Sequence, residues 1–211
     1  RLVSAPVAAP GKENWREAIP LRPAGMIEGI DAFARWVVRY ERENGLQRIV
    51  VRRLADGNEH TIVFPEPTYT VWPGRNAVFD TDTLRYEYTS MVTPRSTYDY
   101  EMAGQASLLR KQQPVLGGFD RENYASERVY ATAPDGVKVP VSLVYRRGMK
   151  RDGSAPMVLE GYGATGHRAT RTSRPAGSAS STAASPLASP TSAAAARWAS
   201  PGMTRAGCST R

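Results

Sequence analysis

Few residues in this chain are equipped to do chemistry. Histidine occurs twice, at His60 and His167, and cysteine once, at Cys208. Hydrolysis by an activated serine on an α/β scaffold needs a G-x-S-x-G elbow, whose small residues tolerate the strained strand-to-helix turn, followed in chain order by an acid and a histidine. No G-x-S-x-G occurs, Asp152 is the last aspartate, Glu160 is the last carboxylate, and His167 precedes every later serine. The order Ser, acid, His therefore cannot be assembled here, and the many serines near the C-terminus read as compositional. One cysteine excludes an internal disulfide framework and a cysteine-rich zinc site. No metal and no cofactor is expected.

The other candidates each have a plainer reading. His60 follows Glu59 in a short strand and reads as a surface strand residue rather than a base. Tyr86, Tyr88, Tyr98 and Tyr100 alternate along strands; such rows can stack on bases, but sheet faces ordinarily carry aromatics for packing. Arg146, Arg147, Lys150 and Arg151 form a basic turn, read as solvated rather than phosphate-binding. The Gly161–Gly166 loop lacks the Lys-Ser/Thr of a P-loop and the full dinucleotide spacing.

These residues sit on strands. Asn44-Gly45 and Asp56-Gly57 are strong hairpin signals. They bracket a strand over Gln47–Leu54, with neighbours predicted over Phe33–Glu41 and Glu59–Phe64. After a turn at Pro73-Gly74 come Thr83–Val92, Ser96–Met102 and Ala106–Gln113. Two successive sets of three or four antiparallel strands, about 45–50 residues apart, fit propeller blades or a meandering sandwich. Beyond Pro114 the texture changes: Glu127–Ala133, a Pro134-Asp135-Gly136 turn, Lys138–Tyr145, then Ala155–Leu159 running into the glycine-rich loop. A strand ending in such a loop is where α/β folds place backbone against ligands.

Charge separates the ends of the chain. Of the 28 Lys+Arg, six are Arg within 167–211, a segment with no acidic residue; the remaining 22 face 20 Asp+Glu in 1–166, a net of +2. The tail holds 12 Ala, 9 Ser and 6 Thr in 45 residues, with Leu187, Trp198 and Met203 as its larger apolar side chains. It buries too little apolar surface to offset its ordering entropy, so disorder is expected. Six arginines spread so thinly do not read as a nucleic-acid grip, and no stretch approaches the roughly 20 apolar residues of a membrane span. With no basic-then-apolar leader and Arg at position 1, the chain is expected to begin mid-protein and to be cytoplasmic.

Leu108-Leu109-Arg110-Lys111-Gln112-Gln113-Pro114 resembles the end of the propeller in the prolyl oligopeptidase family, as does Tyr86–Pro94 followed by Tyr98-Asp99-Tyr100. Ser126–Gly148 resembles the start of that family's α/β-hydrolase domain, with oligopeptidase B as the nearest subgroup. The resemblance covers about 1–166. It implies a mainly β chain: partial propeller blades over 1–125, the first strands of a hydrolase domain over 126–166, and a disordered tail over 167–211. It further implies a serine peptidase that cuts short peptides after Arg or Lys, with the propeller as a size filter. By the match of Gly161-Tyr162-Gly163, Tyr162 would donate its phenol to the oxyanion of the tetrahedral intermediate, a donor typically worth on the order of 3 kcal/mol. Glu160 and Thr165 depart from the aromatic residues usual there, and a carboxylate beside an oxyanion site opposes the developing charge. The acidic residues that select Arg or Lys lie further along the family sequence.

The resemblance stops at Gly166, which points to a shifted reading frame. With permitted codons, the frame that begins on the third base of each codon turns Ser192–Ala199 into R-G-G-G-E-M-G, a string that resembles a signature of the missing hydrolase region. The expectation is thus a fragment without peptidase activity. The alternative is a non-catalytic propeller-type module that binds peptide or protein. The exposed strand edges of a partial propeller favour aggregation, the behaviour expected of the fragment, whereas a stable, monodisperse 1–127 would favour the module.

Overall fold

The computed structural model describes residues 1–22 and 25–161 and the backbone of 187–190. Leu2–Ser4 (β1) and Arg16–Ile19 (β2) form a small antiparallel ladder. Gly25–Ala32 (β3), Trp36–Glu43 (β4), Leu46–Arg53 (β5) and Glu59–Thr61 (β6) make a four-stranded antiparallel meander in chain order. Tyr69–Pro73 (β7), Thr83–Ser90 (β8), Ser96–Glu101 (β9) and Ala106–Gln112 (β10) repeat it. These are two complete blades of a β-propeller, and the sheets do not close into a ring.

Local chemistry sets the first meander. Asn44 and Gly45 both take positive φ, at 50° and 76°, the backbone that a tight hairpin turn demands and that glycine and asparagine tolerate best. That turn fixes the register Tyr40↔Ile49 and Val38↔Val51, so all four side chains lie on one sheet face. They meet Tyr69, Val71, Leu84, Tyr86, Tyr88 and Tyr100 of the second meander in one buried cluster. Phe64, in the connection between the blades, packs 4.6 Å from Tyr69 and 5.4 Å from Tyr88, measured between ring centroids. Each such side chain contributes roughly 1.5–3 kcal/mol by leaving water. The tyrosine row therefore packs the blades together.

Polar contacts sharpen the alignment of the blades. Tyr40 donates its hydroxyl to Asp31 at 2.8 Å, and Asn76 donates to the same carboxylate at 2.9 Å. Asn76 also accepts from the Arg85 amide at 2.8 Å, which ties β3 of one blade to β8 of the other. The opposite face of the first blade carries a different centre. Arg39 is fully buried and forks onto Glu59 at 2.7 and 2.9 Å while donating to Glu41 at 2.8 Å. Glu59 holds the Arg39 guanidinium above its ordinary pKa, and Arg39 holds the Glu59 carboxyl below its own.

A third sheet follows the blades. Tyr124–Thr132 (β11) and Lys138–Arg146 (β12) form a hairpin in continuous register. Val158–Leu159 (β13) and Leu187–Pro190 (β14) complete a sheet of order β11-β12-β14-β13. β14 pairs antiparallel with β12 and parallel with β13. These four residues come from the segment expected to lack structure; backbone ladder bonds to two neighbours hold them. The remainder of 167–211 lies outside the described residues.

Strand limits differ from the sequence reading at identifiable places. The strand predicted over Phe33–Glu41 begins at Trp36, because the Phe33 amide donates to the Trp36 carbonyl and closes a turn. β3 was not predicted: Gly25, Gly29 and Asp31 alternate with apolar residues and weaken its signature. β7 lies among Pro65, Pro67 and Pro73, which read as turn, although its Pro73 is the last residue of the strand. β13 is shorter than the predicted Ala155–Leu159.

Candidate functional site

The sheet that leads toward Gly161 meets the blades through three contacts. Thr68, just before β7, donates its hydroxyl to Ser142 of β12 at 2.7 Å, with both residues fully buried. Arg128 of β11 donates to the Asn44 carbonyl in the β4–β5 turn. Arg121, in the 3-10 turn Arg121–Asn123, lies 3.6 Å from Glu66, whose carboxylate also accepts from the Thr93 hydroxyl. The hairpin β11–β12 is thus seated on the end of the blades that carries the β4–β5 turn.

The path from β12 to the glycine-rich loop is held by one charge cluster. Glu127 accepts from both Tyr145 and Arg151, and Arg151 also lies over the Tyr145 ring, 4.7 Å from its centroid. Arg151 lowers the Glu127 pKa, chiefly through its hydrogen bond. Arg147 donates to the Glu122 carbonyl at 2.9 Å. Two members of the basic turn are therefore spent on the fold. Gly148 and Gly153, with φ of 80° and 81°, make the bends that return the chain to β13. The described run ends at the exposed Glu160 and at Gly161. Tyr162, Gly163, Thr165, His167 and Cys208 lie outside the described residues.

His60 does not pair with Glu59. Neighbours on a strand point to opposite faces, and Glu59 turns to Arg39 while His60 turns to the blade seam. The imidazole sits 5.9 Å from Tyr100, ring to ring, with its Nε2 buried and without a hydrogen-bond partner. Burial, and then the Arg53 charge, push its pKa down. Burial also pushes Tyr100 up to about 12. Among the described residues no cluster of three or more His, Cys, Asp or Glu could hold a metal. None of their helices is long and apolar enough to cross a membrane.

Two sequential four-stranded blades followed by a third sheet define a propeller-bearing architecture. The family described as prolyl oligopeptidase, N-terminal β-propeller domain, matches residues 1–113. The chain belongs to the prolyl oligopeptidase family. It is 38% identical over 167 residues to dipeptidyl aminopeptidase BI of Pseudoxanthomonas mexicana, covering 79% of this chain and 23% of that protein. It is 37% identical over 125 residues to protease 2 of Moraxella lacunata, covering 59% of this chain and 18% of that protein. Among solved structures, oligopeptidase B from Trypanosoma brucei with covalently bound antipain superimposes with a TM-score of 0.76 at 29% identity. That match covers 88% of this chain and 27% of the other. The chain therefore spans about a quarter, or less, of the length of these relatives.

Proposed function

We propose that this chain is the propeller-to-hydrolase segment of a serine oligopeptidase that cleaves short peptides after Arg or Lys. The observation that carries the reading is the seating of the β11–β12 hairpin on the blade end through the buried Thr68–Ser142 bond. That contact joins a size-filtering propeller to the sheet that would bear the chemistry. In the family reaction a Ser attacks the scissile carbonyl, a His moves the proton and an acid orients the His. Of that constellation the chain contributes Tyr162, as a donor to the oxyanion, and propeller surface along the substrate path. The Ser, acid and His, and the carboxylates that would select a basic side chain, are not assembled within 1–211, so the chain as written does not hydrolyse peptides.

Two measurements test this. The purified 211-residue chain is expected to leave an Arg-based peptide amide uncleaved; cleavage abolished by a serine-directed inhibitor would overturn the inactivity. Sequencing the coding DNA from codon 160 onward is expected to show an open shifted frame that continues into hydrolase-like sequence. Stop codons or unrelated sequence in that frame would sink the frameshift.

A further inference from the structure

The end of the blades opposite the hydrolase-like hairpin holds a cleft of about 540 Å³. β4 runs from this cleft, at Trp36, to Glu43 beside the Asn44 turn that Arg128 contacts. Eight residues at about 3.3 Å each separate the two ends by roughly 25 Å. Both walls come from described residues: the first blade supplies Ala34, Trp36 and Arg53, and the second supplies Asp82 and Ala103. The volume falls in the range of small-ligand sites.

The polar groups in this cleft differ in how fully they are used. Asp82 is engaged on both oxygens: Arg35 donates to it twice at 3.0 Å and the Trp36 indole once at 2.7 Å. Arg35 also donates to Asp80 at 2.9 Å, so its charge is shared between two carboxylates. Arg53 is placed differently. Its guanidinium lies over the Trp36 ring, 5.2 Å from the centroid, and its side chain is 45% exposed. Its ion partner Asp56 stands at 3.5 Å and accepts meanwhile from the Asn58 amide and side chain at 3.0 and 2.7 Å. A guanidinium set over an aromatic face is held in place, and the N–H groups that Arg53 does not spend on Asp56 can donate to a second carboxylate.

From this geometry we infer that the cleft binds the C-terminal carboxylate of a short peptide, with Arg53 as the anion-binding residue and Trp36 as its platform. The inference rests on the peptide-processing reading above and adds to it a peptide site on the propeller's far end. Hydrolysis of an oligopeptide leaves a new C-terminal carboxylate on one product, so substrates and products alike carry the recognised group.

Calorimetric titration of the 211-residue chain with acetyl-trialanine and with its C-terminal amide tests it. The acid is expected to bind at least about tenfold more tightly than the amide, the scale of one charge-assisted contact. Arg53→Gln should abolish that difference, while Arg110→Gln, on the far strand of the second blade, should preserve it. The idea is overturned if acid and amide bind alike, if neither binds, or if Arg53→Gln binds the acid as the parent does. The acid–amide comparison uses the unaltered chain, so it stands whether or not the variant folds. No cleavage is measured, so a negative result here leaves the family reading in place.

Discussion

Thr68 and Ser142 are joined by a hydrogen bond of 2.7 Å between two fully buried hydroxyls, one before the second blade's first strand and the other in the β11–β12 hairpin. A buried hydroxyl that loses its partner keeps its desolvation cost, whereas removing both partners together costs little. Thr68→Val is expected to destabilise the chain by about 1–2 kcal/mol in denaturant unfolding. The double variant Thr68→Val/Ser142→Ala should lose less than the sum of the singles. Strict additivity would show that the contact does not couple blades to hairpin.

The buried Arg39 supports a larger effect. Replacing it by Met leaves Glu41, which is 5% exposed, with Arg22 alone at 3.6 Å and removes the fork on Glu59. Breaking a buried pair from one side costs up to about 3–5 kcal/mol; Arg22, 3.6 Å from Glu41, and Arg52, 3.7 Å from Glu59, soften that cost. Arg39→Met is therefore expected to melt several degrees lower. Replacing Arg110, which bonds Asp99 at the surface, should change stability little by the same measurement.

Two kinds of group set the response to acid. His60 has a pKa below its ordinary value, so the unfolded chain takes up its proton first. Stability is then lost as pH falls through about 6.5 toward the lowered value. Glu59, held down by Arg39, and Asp99, held down by Arg85, contribute stability that is present above the ordinary carboxylate range and lost as pH falls below about 4. Unfolding free energies measured from pH 8 to pH 3 should fall in two steps. His60→Asn should flatten the upper step alone; an unchanged upper step would remove His60 as its source.

Exposed edges predict the behaviour in solution. Every residue of β10 is exposed, including Leu108 at 57% and Leu109 at 46%. A long edge strand carrying apolar side chains is a template for pairing with another copy. Light scattering should report concentration-dependent association of the 211-residue chain. Leu108→Lys/Leu109→Lys should reduce it, since charged edge residues oppose pairing. Equal association in the variant would place the contact elsewhere.

Much of the fold was legible because turn chemistry is local. Asn44-Gly45 and Asp56-Gly57 located β4, β5 and β6, and the tyrosine spacing gave the packed face of β8 and β9. β3 and β7 were hidden for a common reason: glycine, aspartate and proline dominate their short-range signal, and pairing with β4 and β8 overrides it. The far cleft was not legible at all. Trp36 and Arg53 face each other across the β4–β5 pair, but Asp82 joins them only when the second blade lies on the first. The Arg39–Glu59 fork was missed because it joins β4 to β6, strands that are not adjacent in the sheet. The family was readable from 86–114 and 126–148 because those stretches keep their motifs intact.

Among the described residues each blade is woven from one stretch of polypeptide, its four strands following one another in chain order. Such a unit can be finished as it leaves the ribosome, one petal after another, without waiting for the C-terminus to arrive. It also makes the petal the natural currency of evolutionary change: a whole one can be duplicated or dropped by a single in-frame event, and its neighbours keep their own hydrogen-bond ladders.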